Sequence, residues 1–225
     1  MRFKHEGQDI PKSKKIPEDL IEKYSYKINW KKIVERQYLS EWFMVKHSDK
    51  LTWKGISRYQ DLTEDFIDRY KDKVSWSDIT LCQELSEEFI LNHLDYIDWK
   101  NIAKFQKLSE EFLDKYGDKL NWSWVVYNQK LSTNLINKYY KYFKRMDWVF
   151  LVEMQNLSET VINNIVIDNM PKDELIDLFK YQKISENCIM NIIHKVPNDC
   201  LEYIIHNELV TKNTDNYKTI QLMIL

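Results

Sequence analysis

The histidines and cysteines are the side chains best able to do chemistry, and neither set clusters. His47 and His93 occupy a slot that Tyr24, Tyr70, Tyr116 and Tyr139 fill elsewhere in an internal repeat, so both are read as packing residues. His194 and His206 are too far from any matched carboxylate set to read as a zinc motif. Cys82, Cys188 and Cys200 show no metal or redox spacing. Carboxylates are plentiful, but most fall at helix starts, where capping and dipole effects explain them. No catalytic, cofactor-binding or metal-ligating set is assigned, no cofactor is expected, and the chain is read as non-enzymatic.

Amides are the more informative groups. Gln37, Gln60, Gln83, Gln106, Gln129 and Gln155 each stand seven residues after a tryptophan, at Trp30, Trp53, Trp76, Trp99, Trp122 and Trp148. From Trp30 to Trp122 the spacing is 23 residues, which marks an internal repeat. A buried glutamine must find partners, because an unsatisfied amide costs about 1–3 kcal/mol. The expected partners are backbone groups in the turn that leads into the next Leu–Ser pair. A polar row reading an extended peptide or nucleotide chain is the alternative.

Two short helices must position these groups. The first opens at a hydroxyl residue, at Ser40, Thr63, Ser86, Ser109, Ser132, Ser158 and Ser185, which can accept from free backbone N–H groups. Acidic residues follow, as in Glu87–Glu88, and apolar residues recur on one face, as in Phe66, Ile67 and Tyr70. The second helix opens at Asn29, Thr52, Ser75, Asp98, Asn121 or Asp147, directly before the tryptophan. Ile79 and Thr80, or Ile102 and Ala103, then stand three and four places on. The tryptophans are expected to fill the space between neighbouring repeats. Helices of about eight residues are marginal alone in water, so their stability must come from stacking.

The register continues through Leu175 and Gln182, and then through Leu201 with Glu208 in the glutamine's place. The fold predicted is all-α, an α-solenoid of about eight short helix-turn-helix repeats. A polar, basic segment at 1–15 precedes the array at 16–208, and 209–225 forms a C-terminal cap. The sixth to eighth repeats carry three or four extra residues, expected in a longer first helix or turn.

Composition sets the remaining limits. The 225 residues are 44 % hydrophobic and 30 % charged, as in a folded soluble chain. No apolar run approaches the ~18 residues that span a bilayer. Three cysteines without a secretory signal favour a reducing, cytoplasmic compartment. A net charge of −2 disfavours a generic nucleic-acid binder. Three glycines leave little room for a phosphate-cradling loop.

Positions two and six places after the tryptophan lie opposite the core stripe. They read Lys32/Arg36, Gly55/Tyr59, Asp78/Cys82, Asn101/Phe105, Trp124/Asn128 and Phe150/Met154. Tyr59, Phe105, Trp124, Phe150 and Met154 are not demanded by the repeat, and exposed aromatic and methionine residues are typical of protein-binding hot spots. These five are the candidate partner-binding residues.

The pattern Leu-Ser-Glu-Glu-Phe-Ile…Trp-x-x-Ile-x-x-x-Gln, carried best by Leu85–Gln106 and Leu108–Gln129, resembles short repeats of uncharacterised proteins from giant DNA viruses and low-GC phages and bacteria. The resemblance implies a repeat fold and a viral setting in host cytoplasm; it supplies no catalytic residues. The function expected is a module that binds a protein partner, such as a host factor, with self-association open. The alternative is a nucleic-acid-binding array, for which Arg2, Lys4, Lys12, Lys14 and Lys15 form the evident basic cluster.

Overall fold

A computed structural model describes residues 16–207 and 214–224. The predicted basic segment at 1–15, Glu208 and the first residues of the predicted cap lie outside the described residues. The fold is an all-α helical repeat, with no strand among the described residues. The chain divides into two compact units, Met1–Lys107 and Leu108–Leu225.

Each repeat has a first helix of about two turns, a tight connection, and a second helix that opens at or just before the tryptophan position. First helices such as Glu64–Arg69 and Glu87–Asn92 are capped as predicted: Thr63 and Ser86 accept from the N–H groups of Phe66 and Phe89. Second helices such as Trp53–Tyr59, Trp76–Cys82 and Trp99–Phe105 end at the glutamine, whose backbone is extended. Ile56, Ile79 and Ile102 are fully buried in the N-terminal unit, as are Leu175, Leu178 and Ile189 in the C-terminal one.

The tryptophans pack between repeats. Trp53 of one repeat lies 5.1 Å from Tyr70 of the next, Trp76 lies 5.3 Å from His93, and Trp122 stacks on Tyr139 at 4.2 Å. The indole N–H groups of Trp30, Trp76 and Trp122 donate to the carbonyls of Ser25, Lys71 and Gly117, five residues back. The ring therefore also pins the connection within its own repeat. Trp122 and Trp148 are buried, whereas Trp30, Trp53, Trp76 and Trp99 are half-buried.

The glutamines are backbone clamps, but they face the turn entering their own repeat, not the one leaving it. Gln83 Oε1 accepts from Leu62 N (3.1 Å), and its Nε2 donates to Ser57 O (3.0 Å) and Gln60 O (2.8 Å). Gln60, Gln106, Gln155 and Gln182 make the equivalent three bonds. Helical side chains lean toward the helix N-terminus, away from the chain that follows. In the last repeat Asn207 fills this role, accepting from Ile184 N and donating to Phe179 O and Gln182 O. The sequence reading had placed the position at Glu208.

The extra residues of the later repeats are distributed unevenly. In the seventh they lengthen the first helix, which runs from Glu159 to Asn169 through a π-helical turn at Ile162–Val166. In the sixth they lengthen the second helix, Arg145–Met154. Asp147 is consequently not its cap. It stands three residues in, and its carboxylate accepts from Lys144 N at 2.7 Å. A final helix, Asp215–Ile224, packs against Leu201–Ile205 and buries Ile220.

Gly117 is required by close approach. A Cβ there would meet the Tyr139 ring at 2.4 Å. Tyr139 cannot yield cheaply, since it stacks on Trp122 and donates to Asp114 O.

Two outcomes follow from this packing. Gln83→Leu, which keeps bulk but loses three bonds, destabilises the chain by about 3 kcal/mol, the scale of stranding several buried backbone groups. Chemical denaturation with a circular dichroism readout checks it, and an unchanged midpoint would show the clamp to be dispensable. Gly117→Ala costs about 1–3 kcal/mol through overpacking. The same denaturation measurement checks it, and an unchanged midpoint would show that the Tyr139 ring yields freely.

Candidate functional site

Exposed apolar side chains occur on first helices and connections, as at Trp42 and Tyr26, and on the second helices of the C-terminal unit. In the C-terminal unit, Trp122–Asn128 packs against Arg145–Met154, which packs against Leu175–Tyr181. Val125, Val126, Leu151 and Val152 face the core, so Trp124 and Tyr127 point outward from the first of these helices and Phe150 and Met154 line the second. The Tyr127 ring meets Trp124 edge-on at 6.3 Å and Phe150 edge-on at 4.9 Å. One aromatic cluster therefore bridges two repeats. Met154 is 67 % exposed at its end, while Phe150 also packs on the core.

Trp124, Phe150 and Met154 thus share one patch, and the residue that joins the two rings is Tyr127, which sequence reasoning passed over. It stands five places after its tryptophan, and only positions two and six were read as outward. Tyr181 and Tyr203 are also exposed on the next two second helices, and the Lys180 ammonium sits 5.3 Å from the Tyr203 ring centre. Tyr59 and Phe105 belong to the N-terminal unit, where both are half-buried; Tyr59 packs beside Val34, Leu51 and Ile56.

Titratable groups in the interior are structural. His47 is buried between Trp30 and Phe43, at 4.9 and 4.5 Å. Burial, opposed by the Glu22 carboxylate 3.6 Å away, holds its pKa below the ordinary imidazole value. His93 Nδ1 lies 2.8 Å from Phe89 O and its Nε2 3.0 Å from Asp68. The bond to His93, reinforced by Lys71, keeps the Asp68 carboxyl below its usual range. Cys82, Cys188 and Cys200 are free thiols, each pushed up to about 11 by burial, which leaves them protonated and unreactive near neutral pH.

The carboxylates at first-helix starts do more than suit the helix dipole. Glu18 accepts from the N–H and hydroxyl of Ser40 in the next repeat, and Glu64 does the same for Ser86. Glu41 accepts from Thr63, Glu110 from Ser132, and Glu159 from Ser185 N. The recurring Ser-Glu pair was visible in the sequence, and its partner one repeat away was the missing step. Among the described residues no group of three or more His, Cys, Asp or Glu side chains could hold a metal ion, and no helix is long and apolar enough to cross a membrane.

No protein family, curated protein or solved structure matches the chain.

His47 makes stability depend on pH. Its neutral form is favoured in the folded chain, so its contribution is complete above the ordinary imidazole value near 6.5 and declines as pH falls through the lower folded value. Denaturation midpoints between pH 7.5 and pH 5 should fall less for His47→Tyr, which carries the slot's other natural occupant. Parallel curves for the two proteins would remove His47 as the cause.

Proposed function

We propose that this chain is a non-enzymatic, cytoplasmic interaction module that binds another protein through the second helices of its C-terminal unit. The observation that carries this reading is the Trp124–Tyr127–Phe150 cluster with Met154 at its edge. Phe150 packs partly on the core, whereas stacking, which uses the positions of Trp122, Val125, Val126, Trp148, Leu151 and Val152, makes no demand on Trp124, Tyr127 and Met154. Exposing them has a solubility cost that a purely structural repeat would avoid, and aromatic and methionine side chains are the types that anchor protein interfaces. The cluster is also rigid. Two edge-on ring pairs fix its shape in advance, which reduces the entropy lost on binding. Tyr59 and Phe105 are secondary candidates on the N-terminal unit.

The resemblance of the repeat to viral and phage sequences makes a host protein the partner class we favour. Affinity capture from native host lysate tests the reading, using the intact chain beside Trp124→Ser/Met154→Ser, both exposed positions, with helicity matched by circular dichroism. At least one host protein should be depleted tenfold or more by the variant, corresponding to about 1.4 kcal/mol. Equal capture by both chains, or a sedimentation shift showing that the patch only pairs two copies of this chain, would overturn the assignment.

A further inference from the structure

The second helices of the N-terminal unit are different in chemistry. Trp30–Arg36, Trp53–Tyr59, Trp76–Cys82 and Trp99–Phe105 carry Lys31, Lys32, Arg36, Lys54, Arg58, Lys100 and Lys104 against only Glu35 and Asp78. Asp78 is buried, accepts from the Ser75 hydroxyl at 2.7 Å and pairs with Arg58 at 3.4 Å. First helices of the same unit have the opposite bias, with Glu18, Asp19 and Glu22 against Lys23, and Glu64, Asp65 and Asp68 against Arg69. A near-neutral chain therefore hides a strongly basic face.

Three of these charges, Lys31, Lys54 and Arg58, meet Lys50 at a groove of about 380 Å³ between helix Trp30–Arg36 and the segment Lys50–Tyr59. Lys31, Lys50, Lys54 and Arg58 line it together with apolar residues such as Val34 and Tyr59, and no carboxylate is among its lining residues. Lys31 and Lys54 are exposed and make no ion pair among the described residues. Cations gathered this way repel one another and raise the local potential toward anions.

The backbone at this groove is also exceptional. Thr52 has φ 61°, the one positive value outside glycine among the described residues. The equivalent Asn29, Ser75, Asp98 and Asn121 have φ between −91° and −84°. Here a short helix, Ser48–Leu51, runs almost directly into Trp53–Tyr59, and the chain must reverse at one residue. That reversal sets Lys50 in the groove wall. Strained non-glycine residues of this kind concentrate at ligand-binding places.

We propose that this groove anchors the phosphodiester backbone of single-stranded nucleic acid lying across the second helices of the N-terminal unit. Three features favour that ligand. The cations extend beyond the groove to Lys32, Arg36 and Lys100, over helices about 10 Å apart, farther than one small anion reaches. Tyr59 and Phe105 recur six places after their tryptophans, with Arg58 and Lys104 held 5.9 and 4.8 Å from the ring centres. Rings interleaved with cations are the combination that stacks bases beside a neutralised backbone. An acidic peptide would use the cations alone, whereas bases can also use the solvent-facing parts of the half-buried Tyr59 and Phe105 rings.

The test is fluorescence anisotropy of a labelled 12-nucleotide oligothymidine with the full chain, from 50 to 200 mM salt. The intact chain should bind, with log affinity falling against log salt at a slope of about −2 to −3, the value for three or four phosphate contacts on a single strand. Lys31→Glu/Lys54→Glu should weaken binding at least tenfold and flatten the slope. Lys130→Glu, an exposed cation of the other unit, and Trp124→Ser/Met154→Ser should leave it unchanged, so failure here is separable from failure of the protein-binding reading. If the double reversal does not fold, Lys31→Gln/Lys54→Gln should still weaken binding several-fold. The proposal is overturned by absence of binding at 50 mM salt, by equal loss in Lys130→Glu, or by a polyglutamate peptide binding as tightly as the oligonucleotide.

Discussion

A seven-residue helix cannot satisfy its own backbone, because the first N–H groups and last carbonyls of any helix lack intrahelical partners. In this chain the glutamine amide meets that shortage, and the rest of the repeat depends on it. Its oxygen takes one N–H from the turn entering the repeat, and its nitrogen supplies two donors to carbonyls of the preceding second helix and its terminus. One acceptor and two donors on a short neutral arm is the property of a carboxamide; a glutamate in the same place would bring acceptors alone. Asparagine replaces glutamine at 207, where the second helix, Leu201–Ile205, has five residues instead of seven. The shorter arm still reaches the same kinds of group.

Around the clamp, further repeated polar contacts run from one repeat to its neighbour. The Ser86 hydroxyl accepts from Phe89 N and donates to Glu64, so a single atom both starts its own helix and joins it to the previous one. Ser57 accepts from Ser75 N and Thr80 from Asp98 N, while each donates to a carbonyl within its own second helix. The tryptophan adds apolar area between repeats and ties down its own connection. Helices too short to persist alone become stable because each is completed by a neighbour, which makes stability a property of the interfaces more than of the repeats.

Most of this was legible where a residue acts on its own helix. Hydroxyl caps, the tryptophan–glutamine spacing and the histidines in an aromatic slot follow from periodicity and local hydrogen bonding. What could not be read was where a side chain reaches across to another repeat. The glutamine partners were expected in the leaving turn, and the lean of helical side chains sends them to the entering one. Glu18 and Glu64 looked like dipole partners because their second role sits 22 residues away. Asp147 looked like a cap because it precedes Trp148, yet the inserted residues start that helix three positions earlier, at Arg145. Of the candidate site, Trp124, Phe150 and Met154 were read from the sequence, and Tyr127 was not, since a helix of two turns presents more than two outward positions.

The same division explains how one repeat can carry two chemistries. Stacking consumes the tryptophan, the positions three and four places on, and the glutamine. The cap hydroxyl and the glutamate after it are used on the first helix. Positions one, two, five and six places after the tryptophan are mostly exposed or half-buried. In the N-terminal unit they hold Lys31, Lys32, Lys54, Arg58, Tyr59 and Lys104; in the C-terminal unit the corresponding places hold Ser123, Trp124, Tyr127, Phe150 and Met154. Of these charges Arg58 is met by Asp78 of the next second helix, whereas Lys31 and Lys54 make no ion pair among the described residues. Carboxylates also stand on the first helices, where the cap hydroxyls of Ser40, Thr63, Ser86 and Ser132 offer them a donor. Segregation of charge between the two rows is thus a consequence of how the repeats are joined, and it leaves the second-helix row able to become cationic in one unit and aromatic in the other.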